Sequence, residues 1–227
     1  MAPMPAPGPF LRSPVGLSHA VTALLGVVML ADVLNLAAAF FMRSQMDGIT
    51  SGAGVDLTAV DRADSAMAGT SVFYLLALLA TATVFIIWFH RVRQNAEVFA
   101  PDTQRRSAGW AIAGWFIPVA NLWIPRGIAL DVLRAGEPHP YSGVVRHQGL
   151  LNSWWGVWIA SNLFGRLAIQ RYDDAGSPQA VHDATGWLIT GSLLDIGAAV
   201  LAVLFVRRLT AAQNAKALTG RPGLPVG

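Results

Sequence analysis

The chain predicts an all-α fold, a polytopic membrane helix bundle, and three observations carry that prediction. Hydrophobic residues make up 54% of the 227 and charged residues only 13%, where a soluble domain averages roughly 45–50% and 25%. Four runs, each uncharged or broken by a single aspartate, approach or exceed the ~20 residues that cross ~30 Å of hydrocarbon. A fifth run, Ser107–Pro125, has similar length but is interrupted by Pro118 and carries Asn121. The expected architecture is four transmembrane helices, at about 17–42, 66–89, 148–165 and 185–206, with 107–125 as a Trp/Pro-rich re-entrant or interfacial helical segment.

The chain opens with MAPMPAPGPF, too proline-rich and too poor in large apolar side chains to pack. Residues 1–16 are therefore expected as a disordered tail. Arg12 followed by an apolar stretch and Ala37-Ala38-Ala39 also fits a cleaved signal peptide. Against that, the stretch runs on to Met42 and is interrupted by Asp32, so a first span is the expectation. The single transmembrane domain then covers 17–208, and 209–227 form a C-terminal tail.

Past the second span, Trp88, Arg91 and Asn95 stand at i, i+3 and i+7, which lines them on one face if the helix continues. Trp88 is expected in the interfacial belt with Arg91 just beyond it; alternatively the face docks the next segment of the chain. That segment, GWAIAGWFIPVANLWIP, mixes Gly109, Ala111, Ala113 and Gly114 with Trp110, Trp115 and Trp123, which permits close helix approach and interfacial seating together. Pro118 removes a backbone donor and Pro125 biases Ile124 away from helix, so the chain is expected to turn between them. Asn121 is suited to satisfy backbone groups freed at depth. A re-entrant hairpin with Asn121 near its tip is preferred; an in-plane helix and a true fifth span are its rivals. Arg126–Arg134 reads as a short amphipathic helix with an Asp131/Arg134 pair. In the third run, Trp154 and Trp155 read as aromatic packing inside the bundle.

Arginine placement chooses the topology, because loops on the cytoplasmic side collect Lys and Arg. With four spans, 12 of the 16 basic residues fall on one side. Arg43, Arg62, Arg166 and Arg171 stay on the other, among seven aspartates. A crossing fifth run would instead split them 7 to 9. Four spans with both termini cytoplasmic, in the plasma membrane, are therefore the expectation.

The order FHRVRQNAEVFAP, RRSAGWAIAGWFIPVANLWIPRGIALDVLRAG and NSWWGVWIASNLFGRLA resembles a family of small, mostly actinobacterial membrane proteins catalogued only as a domain of unknown function. The likeness covers roughly Ser65–Arg208. It rests on Arg91 and Asn95, on Trp115, Pro118, Asn121 and Pro125, and on Trp154 and Trp155. The resemblance implies a multi-span membrane protein and brings no activity with it.

Counted at 1.5 Å per residue, Asp32 lies ~16 Å from Arg43 and Asp195 ~18 Å from Asp183. Both carboxyls then fall near the midplane, where an ionised aspartate costs ~2.5–3.5 kcal/mol on insertion scales. No Lys or Arg interrupts the spans, so one or both carboxyls are expected to hold a proton, shared if the two meet. Asn35 stands one turn from Asp32. The structural alternative is a protonated carboxyl that hydrogen-bonds a neighbouring helix.

Enzyme chemistry finds no foothold. The five histidines are scattered without metal-ligand spacing, no nucleophile elbow or phosphate loop occurs, and there is no cysteine. No metal or cofactor is expected. The net charge of +3 comes from arginines flanking spans, which points to anionic headgroups rather than nucleic acid. Two functions remain. One is a structural or interaction protein binding anionic lipid, a membrane partner or a further copy of itself. The other is a small oligomeric proton-linked transporter or channel using Asp32 and Asp195.

Overall fold

The computed structural model describes residues 10–52, 56–143 and 145–219, and every regular element among them is helical. The order is α1 (Val15–Thr50), α2 (Leu57–Phe99), α3 (Trp110–Ala113), α4 (Ile124–Gly136), α5 (Gln148–Asp173) and α6 (Pro178–Thr219). Single turns of 3-10 helix stand at Pro101–Thr103 and Ala120–Leu122.

Local chemistry sets the boundaries. After α1 the chain turns at Gly52, whose φ of 79° suits a residue without a Cβ. Asp56 Oδ1 then accepts the Thr58 and Ala59 N–H groups at 3.0 and 3.2 Å and caps α2. Ser177 Oγ accepts the Ala180 N–H at 3.2 Å at the start of α6, where Pro178 occupies the first helical position. At 36, 43 and 42 residues, α1, α2 and α6 are ~54–65 Å long.

Three helices, α1, α2 and α6, are long and apolar enough to cross a membrane. The expected third span is helical, but α5 is not one of the three. Its 26 residues suffice in length, yet Gln148, Asn152, Ser153, Ser161 and Asn162 dilute its apolar content. The segment 107–125 is one turn of helix, a tight reversal and a 3-10 turn.

Two compact units divide the chain. One comprises Met1–Ala20, Val84–Leu151 and Phe205–Gly227; the other Val21–Thr83 and Asn152–Leu204. Among the described residues the first carries eleven Lys and Arg against four Asp and Glu, and the second four against nine. They are termed the arginine-rich and the aspartate-rich unit.

Two stretches expected as tails carry structure. Most of the N-terminal tail, residues 1–9, lies outside the described residues, but Val15 already opens α1. At the other end α6 runs without interruption to Thr219, with Leu209 and Gln213 buried; the rest of the expected C-terminal tail, 220–227, lies outside the described residues.

Candidate functional site

In the aspartate-rich unit, three helices bring one ionisable side chain each to a common point. Asp32 on α1 is 2% exposed, and its Oδ2 has no hydrogen-bond partner among the described residues. Asp195 on α6 is half-buried, and its Oδ2 accepts a hydrogen bond from the Tyr74 hydroxyl of α2. Asp32 lies within electrostatic reach of Asp195, and Tyr74 within reach of both. The two aspartates therefore share a neighbourhood, which their matching depth permits, with Tyr74 as a third member. Asn35 is half-buried one turn along α1, and Thr190 returns its hydroxyl to the Gly186 carbonyl at 2.9 Å. Trp154 and Trp155 on α5 are both 4% exposed. Their rings meet at 5.7 Å, and Trp155 lies tilted against Trp158 at 5.0 Å, an aromatic packing.

At one edge of the same unit, Arg43 Nη1 donates to the His182 carbonyl at 3.0 Å, and the His182 ring lies 3.0 Å from Asp47 and 3.1 Å from Asp183. Beside these contacts, Met42, Met46 and Ala63 form a small apolar cluster.

The other candidates fall in the arginine-rich unit, and three of them, Trp88, Arg91 and Asn95, share one layer of contacts there. Asn95 is 3% exposed. Its Oδ1 accepts the Arg12 N–H at 3.0 Å, while its Nδ2 donates to the Arg12 carbonyl at 2.8 Å and to Gln213 Oε1 at 3.2 Å. Gln213 in turn donates to the Val92 carbonyl at 2.8 Å. Arg91, from the same face, reaches the Ser13 carbonyl at 3.4 Å. The Trp88–Arg91–Asn95 face thus docks the lead-in to α1 and the end of α6.

Trp88 departs from the expected interfacial anchor: it is wholly buried and donates its indole N–H to Thr210 Oγ1 at 3.1 Å. Its indole stands in an aromatic cluster with Phe85 and Phe205, where burial satisfies both its ring and its single donor. Trp115 from the broken segment packs edge-on to Phe85 at 5.6 Å and to Phe89 at 5.9 Å. Docking of that segment therefore runs through Phe85 and Phe89, which the i, i+3, i+7 spacing omits.

Pro118 opens a γ-turn of the rarer hand. The Ala120 N–H reaches the Pro118 carbonyl at 2.7 Å across Val119, whose φ is 66° and ψ −49°. Asn121 closes the reversal through its backbone, donating to the Ile117 carbonyl at 3.0 Å. Pro125 does not end the segment as expected. It sits in the first turn of α4, a position that needs no backbone donor. Trp110, Phe116, Val119, Leu122 and Trp123 are exposed at 38–71%.

Three arginines stand around that same first turn: Arg126 within it, and Arg105 and Arg106, whose guanidiniums approach Gly127. Arg105 is held by Asp131, with Nη2 and Nε at 2.9 and 3.0 Å from Oδ1, and Arg134 is 3.9 Å from the same oxygen. Arg93, 2% exposed, donates to the Arg106 carbonyl and pairs with Glu97 at 3.2 Å. Beyond this turn, Asp102, Thr103, Arg105, Arg134 and Tyr141 line a shallow depression.

Residues 51–211 match the family described as a domain of unknown function, DUF4328. The chain belongs to the DUF4328 family. No curated protein and no solved structure matches it. The DUF4328 stretch contains the whole of Ser65–Arg208, on which the resemblance rests, and so takes in Asn95, Trp115, Tyr74 and Asp195. Asp32 lies on α1, ahead of it. Tyr74 and Gln213 are among the site residues that sequence reasoning misses, as are Phe85, Phe89 and Thr210. A signal for Tyr74 is present: it is the only ionisable residue between Asp64 and His90.

Proposed function

We propose that this DUF4328 protein is a multi-pass membrane protein with a structural or interaction role, and that its arginine-rich unit seats on anionic headgroups. The observation that carries the proposal is the pairing of an exposed apolar row with three arginines gathered at one helix turn. Phe116, Val119, Leu122 and Trp123 are exposed immediately ahead of the α4 turn around which Arg105, Arg106 and Arg126 stand. Aromatic and aliphatic side chains of this kind favour the bilayer interface, and each nearby cation adds about 1 kcal/mol of attraction to an anionic surface. The buried layer around Asn95 and Trp88 supports the reading as a rigid platform behind that surface.

The charge contrast between the units supports four spans with the arginine-rich side in the cytoplasm. In this reading α5 is the remaining span, with Ser161 buried and Gln148, Asn152, Ser153 and Asn162 exposed, and 107–125 is a re-entrant or interfacial segment of a plasma-membrane protein.

The absence of cysteine makes the test direct. Phe116→Cys, carrying an environment-sensitive fluorophore, is placed in bilayers with brominated acyl chains. Strong quenching is expected, together with enrichment of phosphatidylglycerol over phosphatidylcholine around the protein that Arg105→Gln and Arg106→Gln reduce. A label that stays in water, or lipid enrichment indifferent to both arginines, would refute the reading.

A second reading, a small oligomeric proton-linked transporter or channel, draws on a different observation, the convergence of Asp32, Tyr74 and Asp195.

A further inference from the structure

Each apolar run that reaches this point carries one ionisable side chain. Between Ala20 and Met42 of α1 it is Asp32; between Ser65 and Phe89 of α2, Tyr74; between Ala184 and Val206 of α6, Asp195. The α5 run from Gln148 to Gly165 carries none. Three solitary groups on three helices that come together are a built arrangement, because each aspartate alone opposes partition into hydrocarbon and the Tyr74 hydroxyl supplies a donor to one of them. The geometry also leaves one valence open: Asp32 is 2% exposed, and its Oδ2 has no hydrogen-bond partner among the described residues.

We propose that Asp32, Asp195 and Tyr74 form an intramembrane proton-binding site in which Asp32 is the carboxyl that takes the proton. Two carboxylates sharing one low-dielectric site do not both stay charged, and no Lys or Arg occurs in these runs to neutralise them. The Tyr74 hydroxyl already donates to Asp195, while the Oδ2 of Asp32 has no donor among the described residues. The titratable groups bearing on Asp32 are Asp195 from α6 and Tyr74 from α2. Proton binding is a protonation equilibrium, Asp32 carboxylate plus a proton giving the carboxylic acid, with no co-reactant. The inference rests on α1, α2 and α6 being membrane spans and not on the seating of the arginine-rich unit on headgroups, so either can fail alone.

The test is infrared spectroscopy of the full-length protein in bilayers, following the carboxylic-acid carbonyl stretch against pH in water and heavy water. A band that shifts in heavy water, persists at neutral pH and disappears in Asp32→Asn is expected. Tyr74→Phe should change its titration, since Asp195 then loses its hydroxyl donor; that variant removes one hydroxyl and keeps the test open should Asp32→Asn misfold. Absence of the band at neutral pH, its survival in folded Asp32→Asn, an unmoved titration in Tyr74→Phe, or its loss when sodium or potassium is added at constant pH would each overturn the proposal.

Discussion

Asn95 and Arg12 form a reciprocal pair: the side-chain amide of one accepts from the backbone N–H of the other at 3.0 Å and donates to its carbonyl at 2.8 Å. The arrangement copies the pairing of two backbone strands with a single side chain. It fastens the residues ahead of α1 to α2, and the further bond to Gln213 fastens α6 to the same point. One amide therefore organises three chain segments within the arginine-rich unit.

Replacing that amide is expected to be costly. Asn95→Ala strands the Arg12 backbone groups and Gln213 Oε1, and each buried polar group left unpaired costs about 1–3 kcal/mol. Thermal unfolding in detergent, followed by tryptophan fluorescence, should show a clear drop. Trypsin should also cut after Arg12 faster in the variant than in the parent, because the bond it must reach is no longer held. Equal cutting rates would mean that Asn95 does not fasten this segment.

Val119 predicts a gain. A β-branched residue at φ 66° carries roughly 1–2 kcal/mol of strain that glycine lacks. Val119 is 64% exposed, so little packing is lost with its side chain. Val119→Gly should raise the unfolding midpoint or leave it unchanged, despite the greater freedom glycine brings to the unfolded chain. A marked fall would show that the valine side chain stabilises the fold in its bilayer setting.

Gly114 predicts a loss. A Cβ built there would lie 2.7 Å from Ile124 Cγ2 and 2.8 Å from the Trp110 carbonyl, inside van der Waals contact with both. Overpacking of this kind costs about 1–3 kcal/mol. Gly114→Ala should destabilise the protein and loosen the contact of Trp115 with Phe85 and Phe89, read as a change in tryptophan emission.

Asp131 ranks its two partners. Its side chain is 2% exposed and takes a close ion pair from Arg105, while Arg134 stands at 3.9 Å. Arg105→Gln is therefore expected to destabilise more than Arg134→Gln. The difference should stay near 1 kcal/mol, because Arg105 is 57% exposed and water screens part of the attraction. The double variant, unfolded beside the single ones, gives the coupling directly.

Sequence reasoning reaches the helices because apolar runs of this length have few other solutions, and it reaches the common depth of Asp32 and Asp195, though not their meeting, because residue counting along a helix is a ruler. The same ruler places Tyr74 about 12 residues from Arg62, the depth of the two aspartates. Tyrosine escapes notice because an aromatic in an apolar run reads first as packing. Trp88 misleads for the opposite reason: a tryptophan next to charged residues resembles an interfacial anchor, and only the position of α6 supplies the hydroxyl of Thr210 that lets it be buried. Pro125 shows the limit of reading proline as a breaker, since the residues after it decide whether it closes one segment or opens the next. The role of Gln213 is out of reach, because nothing in the chain near it announces a partner more than a hundred residues away.

The only lysine in the chain, Lys216, spends its ammonium on the end of α4, donating to the Ala135 carbonyl at 2.8 Å and the Glu137 carbonyl at 2.7 Å, with the Phe99 ring 5.5 Å away. Apart from the amino terminus, no other amine exists for an acylating reagent to find. The protein thus contains its own single-site reporter: the speed at which Lys216 is acylated measures how often α4 lets go of α6, without a label, a substitution or a ligand having to be introduced.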